Sequence, residues 1–423
     1  MGRYDLAVIF SWRPVGSWVL RLAVTAVLVG VGAGVSGLLV SVALHAIEHF
    51  AYGYTGGTFL EGTVGSPAWR RVAALSTAGV VGAVGWWALR RWGAQIVSVE
   101  RSVAGARMPV LATVINAGLQ VVIVGLGASI GREAAPRELA ALVAGWLTEK
   151  AGLTARERRI LVACGAGAGL AAVYSVPLGG AAFAVEILLA EVSFATALPA
   201  LATSAIATVV AWIAVPTTPL YTVPPITVSP SLIVWAILAG PVIGLSGVGF
   251  VRVARFAERI RPRNWAILIV MPLIFVAVGL ASIPLPSILG NGRSLAQIAF
   301  EDAVPIGMMV ILMVAKLLAT TATVGSGAAG GMLTPSVALG ASLGAVLGGL
   351  WILVWPGTSI AGFVFVAAAA FLSTSMRAPL TAIILVVEFT HQGLNLLAPT
   401  MLAVAGAVTV GYLISRRRLR DIA

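Results

Sequence analysis

The sequence predicts an all-α membrane protein, a bundle of many tilted and broken transmembrane helices arranged as two related halves. Three observations predict it. First, 59% of the 423 residues are hydrophobic and 10% are charged, with a mean hydropathy of +1.02. A soluble domain cannot hide that much apolar surface from water. Second, Glu186 and Glu191 are the only charges from Ile160 to Val251, and Lys316 is the only one between Asp302 and Arg377. Such stretches read as bilayer-embedded helices, because a barrel would alternate in segments of about ten residues. Third, features recur at offsets of about two hundred residues, and Gly- and Pro-interrupted repeats are a mark of transporter folds.

The elements follow in chain order. Arg3, Arg13 and Arg21 precede a long apolar run from Leu22 without a short hydrophobic core and cleavage site, so the first membrane helix is expected to be retained. Gly34-Val35-Ser36-Gly37 opens the first half and Gly244-Leu245-Ser246-Gly247 the second. Val176-Pro177-Leu178 leads to Glu186 and Ala378-Pro379-Leu380 to Glu388, each with a proline-to-glutamate spacing of nine. These pairings give approximate repeats at 20–215 and 231–415, joined by a polar, Pro-rich linker at 216–230, within a single transport domain spanning 1–423. Cys164, the one cysteine, excludes an intrachain disulfide and reads as a packing residue.

Within the first half, the uncharged run Val110 to Ile130 ends in Gly131-Arg132-Glu133-Ala134-Ala135-Pro136. An ionisable group at that depth is a functional candidate. The apolar stretch that follows, Leu139 to Leu147, is too short to span alone, so Glu133 is placed where one helix breaks and another begins. The N–H groups exposed at a helix start attract anions, and a carboxylate beside them can occupy the anion's place or leave it. An ion pair with Arg132 or Arg137 at the membrane surface is the alternative.

The net charge of +12 does not indicate nucleic acid, because no aromatic-rich basic surface accompanies it. The cations cluster between apolar segments: Arg90 and Arg91; Arg156, Arg158 and Arg159; Arg252, Arg255, Arg259, Arg261 and Arg263; Arg416 to Arg418 and Arg420. Clusters of this kind mark the cytoplasmic side or contact anionic lipid, so the chain is expected to be multi-pass in the cell membrane with a cytoplasmic C-terminus. No phosphate-binding loop or metal cluster is apparent, and His45, His49 and His391 lack carboxylates at ligand spacing. No cofactor is expected. An intramembrane serine hydrolase using Ser36 or Ser246 with a histidine is the alternative of a different class. The serine motif occurs twice at matching places, which favours close helix packing instead.

Together these motifs resemble the CLC family of chloride channels and chloride/proton antiporters through most of the chain. Gly131-Arg132-Glu133 resembles the family's Gly-Arg-Glu-Gly-Pro segment, and the Gly165 to Gly179 stretch its Gly-rich helix pair. Gly325 to Pro335 resembles its second Gly-rich anion loop, and Arg377-Ala378-Pro379-Leu380-Thr381 to Glu388 a late helix. The resemblance implies an inverted two-repeat fold and a homodimer with one pathway per subunit. It implies an anion held by backbone N–H groups around Gly131, Arg132 and Ala134 and around Gly331, Met332, Leu333 and Thr334. Partial charges at helix ends attract a halide yet let it leave. Arg132 is expected to anchor the loop rather than touch the ion. Glu133 carries over as the gate; an anion beside it favours the protonated carboxyl, linking anion occupancy to proton uptake.

The departures matter equally. The family's anion-contacting serine corresponds to Ala94, which leaves another anion such as fluoride or nitrate open. Proline is displaced by one place to Pro136, and Leu333 stands for an aromatic residue. Ile187 replaces the antiporters' inner glutamate beside Glu186, so Glu186 reads either as a gating and proton-transfer group or as a capping carboxylate. The family's final tyrosine has no counterpart before Ala423, and Tyr412 reads as packing. Proton-linked exchange remains the expectation, with water replacing the inner carboxylate; an uncoupled channel is the alternative.

Overall fold

Apolar helices that shed their polar backbone into internal hydrogen bonds account for most of the described residues. The computed structural model describes residues 16–420, which leaves Arg3, Arg13 and Ala423 outside the described residues. The helices are α1 Ser17–Tyr52, α2 Phe59–Gly65, α3 Ala68–Trp92, α4 Val99–Val103, α5 Val110–Gly125, α6 Ala134–Lys150, α7 Ala155–Tyr174, α8 Pro177–Ala182 and α9 Phe194–Ala211. After a non-helical stretch come α10 Pro230–Ile260, α11 Ile267–Ala281, α12 Arg293–Phe300, α13 Ile306–Gly325, α14 Leu333–Ile352, α15 Ile360–Met376, α16 Pro379–Thr390 and α17 Leu397–Arg420. Seven are long and apolar enough to cross a membrane. At 36 residues, α1 is about 54 Å long against about 30 Å of hydrocarbon, so it must tilt or project.

Small residues set the packing. Helices α7 and α15 are buried on every side from Leu161 to Tyr174 and from Ile360 to Thr374, as expected of apolar helices at the centre of a bundle. On α7, side chains at Gly167 and Gly169 would run into the carbonyls of Gly180 and Pro136. Glycine there lets α8 and α6 approach backbone to backbone. The Gly-x-Ser-Gly runs do the same work: Gly34 and Gly37 meet α9 and α7, while Gly244 and Gly247 meet α17 and α15. Ser36 and Ser246 donate back to their own helices, to Gly32 O at 2.8 Å and Val242 O at 3.0 Å. Cys164 is fully buried among Ala181, Ala184 and Ala200.

The non-helical segment from Trp212 to Ser229 is anchored to the core: Tyr221 is buried, its N–H donates to Phe389 O at 2.9 Å, and Phe300 and Phe389 cover its ring. One expectation shifts. Tyr412 is 61% exposed on the outer side of α17 and so does not pack in this chain's core, because a place inside an apolar segment does not reveal which face of a helix is covered.

Candidate functional site

The break after Ile130 is built twice. Helix α5 ends where Gly127 takes φ of +99°, and α13 ends where Gly327 takes φ of +102°. Only glycine adopts that left-handed turn without strain. Each turn releases a short extended segment toward the centre. The two meet at Gly131 and Gly331, whose N–H groups donate to each other's carbonyl at 2.8 and 3.0 Å. Helix α6 then starts with Glu133 as its N-cap, and α14 starts with Met332 as its N-cap. Two helix N-termini, with their unpaired N–H groups and partial positive charge, therefore flank one junction.

The Glu133 carboxylate lies in that junction and is 1% exposed. Its Oε1 accepts the Leu333 N–H at 2.6 Å. Its Oε2 lies 3.1 Å from the Thr334 hydroxyl and 3.2 Å from the Tyr174 hydroxyl, which are 2.8 Å from each other. A side chain on Gly131 or Gly331 would occupy the space of this carboxyl. Among the described residues no cation lies within ion-pair distance of Glu133. The negative charge is thus held entirely by neutral donors, which bind an anion without trapping it. Three oxygen contacts link Glu133, Thr334 and Tyr174.

The residues expected here divide cleanly. Gly131, Gly331, Leu333 and Thr334 form the cradle, with Ala134 and Met332 beside them at the two helix starts. Arg132 does not turn to the carboxylate; its guanidinium stacks over the Tyr174 ring at 4.9 Å. That holds Tyr174 in place through a cation–π contact. Ala94 lies in the exposed segment between α3 and α4, and no hydrogen bond joins it to Glu133. Glu186 sits elsewhere, one oxygen accepting the Leu380 N–H at 3.1 Å and the other the Thr381 N–H and hydroxyl, each at 2.6 Å. It caps α16, while Glu388 reciprocally caps α8 through Leu178 N–H at 2.9 Å and Gly179 N–H at 2.6 Å.

Two contributors escaped the sequence reading. Tyr174 ends the Gly-rich α7, and Ser175 after it takes a left-handed conformation, which turns the chain and leaves the ring facing the junction. Lys316 is fully buried and donates to Ser129 Oγ at 2.8 Å, Ile288 O at 3.0 Å and Gly290 O at 2.7 Å. Its isolation in an uncharged stretch was the available signal. A buried ammonium among neutral acceptors, two residues from Gly131 along the Ser129 segment, adds positive potential behind the cradle.

Comparison with known proteins bears on the family and the fold. A family model described as voltage gated chloride channel matches residues 79–412. A putative chloride channel protein ClcB-like from Ralstonia nicotianae is 31% identical over 300 residues, which is 67% of this chain and 68% of that protein. The voltage-gated ClC-type chloride channel ClcB of Salmonella typhimurium is 26% identical over 387 residues, 88% of this chain and 91% of that one. Among solved structures, a slow cyanobacterial Cl−/H+ antiporter matches with a TM-score of 0.79 at 22% identity, covering 93% of this chain and 95% of that chain. A CLC-type fluoride/proton antiporter matches with a TM-score of 0.72 at 20% identity, covering 95% and 97%. At these identities the structural likeness is one of fold.

Proposed function

Because the chain belongs to the CLC family of chloride channels and chloride/proton antiporters, we propose that it exchanges chloride for protons across the membrane through a pathway gated by Glu133. Anion transport is the family's work, so the serine hydrolase alternative falls. The observation that carries the proposal is the Glu133 carboxylate itself, held by the Leu333 N–H and the Thr334 and Tyr174 hydroxyls. A carboxylate so placed occupies an anion's site. When it takes a proton it loses its hold on the Leu333 N–H and swings out, and chloride inherits the same donors. Chloride is chosen over fluoride or nitrate because the curated relatives are chloride channels by description.

Several features complete the reading. The halves at 20–215 and 231–415 act as inverted repeats that meet at Gly131 and Gly331. The basic clusters face the cytoplasm of a cell-membrane protein. Two copies pair, one pathway in each. Glu186 serves as a helix cap, its oxygens accepting the Leu380 and Thr381 N–H groups at the start of α16.

The test is to reconstitute purified protein in liposomes loaded with chloride and follow chloride efflux and internal pH together. The expected result is chloride-driven proton movement that disappears in Glu133→Gln while chloride flux persists. Chloride flux with no proton movement in the unsubstituted protein would overturn exchange in favour of a channel.

A further inference from the structure

We infer that Glu138 is the inner proton-handling carboxylate of this exchanger, passing protons between Glu133 and the basic face of the molecule. The assignment rests on the proton-exchange reading above. Where the resemblance implies an inner glutamate, this chain has Ile187, and the adjacent Glu186 is consumed in capping α16. Glu138 lies five residues beyond Glu133 on α6, a rise of roughly 7.5 Å along the axis. The direction is toward Lys150 and the basic end, where Glu149 pairs with Arg107 at 2.9 Å.

The surroundings of Glu138 suit a group that changes charge. Asn116 Nδ2 donates to its Oε2 at 2.8 Å, and Gln120 Nε2 lies 3.2 and 3.3 Å from its two oxygens. Among the described residues no cation lies within ion-pair distance, so nothing clamps the charged form. The two amides are not equivalent. Asn116 is locked, because its Oδ1 accepts the indole N–H of Trp86 at 2.9 Å. Gln120 is buried with its Oε1 lacking any partner. That orphaned acceptor is costly while Glu138 is ionised. When Glu138 takes a proton, a half-turn of the Gln120 amide presents Oε1 to the new O–H. The Glu138 carboxyl then has hydrogen-bond partners in both protonation states with Asn116 unmoved. The other charges that reach Glu138 are Arg137, whose guanidinium stacks on Phe183 at 5.0 Å, and Glu100, exposed on α4.

The step balances simply. A proton leaves the Glu133 carboxyl, crosses the intervening helix turn over water, and converts the Glu138 carboxylate to the acid. The same proton then leaves to water past Glu100 and restores the carboxylate. No other bond changes.

A purely structural Glu138, clamping α5 to α6 through amides, makes a different prediction, which Glu138→Gln separates because glutamine keeps the shape and hydrogen bonds but cannot titrate. In liposomes, Glu138→Gln should lower the proton-to-chloride ratio at least tenfold while chloride flux continues, and Glu138→Asp should recover part of the ratio. An unchanged ratio in a folded Glu138→Gln overturns the assignment. Should Glu138→Gln fail to fold, Gln120→Met decides: it removes the orphaned acceptor at similar volume, so a severalfold fall in the ratio supports the assignment and an unchanged ratio overturns it. If the unsubstituted protein moves no protons, the exchange reading fails and takes this assignment with it. A normal ratio that survives both substitutions defeats the assignment alone.

Discussion

At Tyr174 a single hydroxyl at the end of α7 joins the two halves of the site, reaching Glu133 at the start of α6 and Thr334 on α14. The ring is held by Arg132 on one side and Phe389 on the other, so Tyr174→Phe should keep the packing and lose one donor. A neutral hydrogen bond is worth about 1 kcal/mol, or roughly fivefold in affinity. Tyr174→Phe should therefore raise the chloride concentration for half-maximal flux about fivefold, leaving the maximal rate within about twofold. An unchanged half-saturation in the flux assay would remove Tyr174 from the anion site. Glu133 was legible in the sequence because a carboxylate after a long uncharged run has few structural excuses. Tyr174 was not, because an aromatic residue at the end of an apolar helix has many. Its role depends on the backbone turn at Ser175, which no side-chain pattern announces.

At the scale of elements, the short helices α8 and α16 are tied by exchanged carboxylates. Glu186 caps α16 and Glu388 caps α8, each satisfying N–H groups that a helix start leaves unpaired. A cap contributes about 1 kcal/mol. Glu186→Gln and Glu388→Gln should each lower the melting temperature in detergent by a few degrees, and the pair should be non-additive because both act on the same two packed helices. Additive shifts would mean that the caps work independently. The equal proline-to-glutamate spacing made this pair visible as a repeat, but spacing does not tell which helix a carboxylate reaches. Helix α6 also exceeded its apolar stretch, from Leu139 to Leu147 in the sequence to Ala134–Lys150 in the structure. Arg137 and Glu138 are carried inside by a cation–π contact and amide partners that hydropathy cannot register.

At the scale of the whole molecule, several arginines gather at the end of the molecule where α3 finishes and α7 begins. Arg90 donates to the carbonyls of Pro262 and Gly327, both at 3.0 Å, which ties the α3 end to the loop after α10. Arg158 reaches the carbonyls of Ser102 and Ala106, and Arg159 that of Leu189. Clusters separate in the sequence thus form one basic face, containing the loops after α3, α4, α6 and α10. The turn from Gly53 to Thr58 after α1 lies at the other end of a helix too long for the hydrocarbon core. Since basic loops stay on the cytoplasmic side, the fold has one expected orientation, and the buried Cys164 leaves the surface free for thiol labelling. Gly56→Cys should react with a membrane-impermeant maleimide in intact cells, because Gly56 is exposed with open space around it. Ala104→Cys, exposed on the basic face, should react only after permeabilisation. The opposite labelling pattern would invert the protein in the membrane, placing the Glu138 side of the pathway outside.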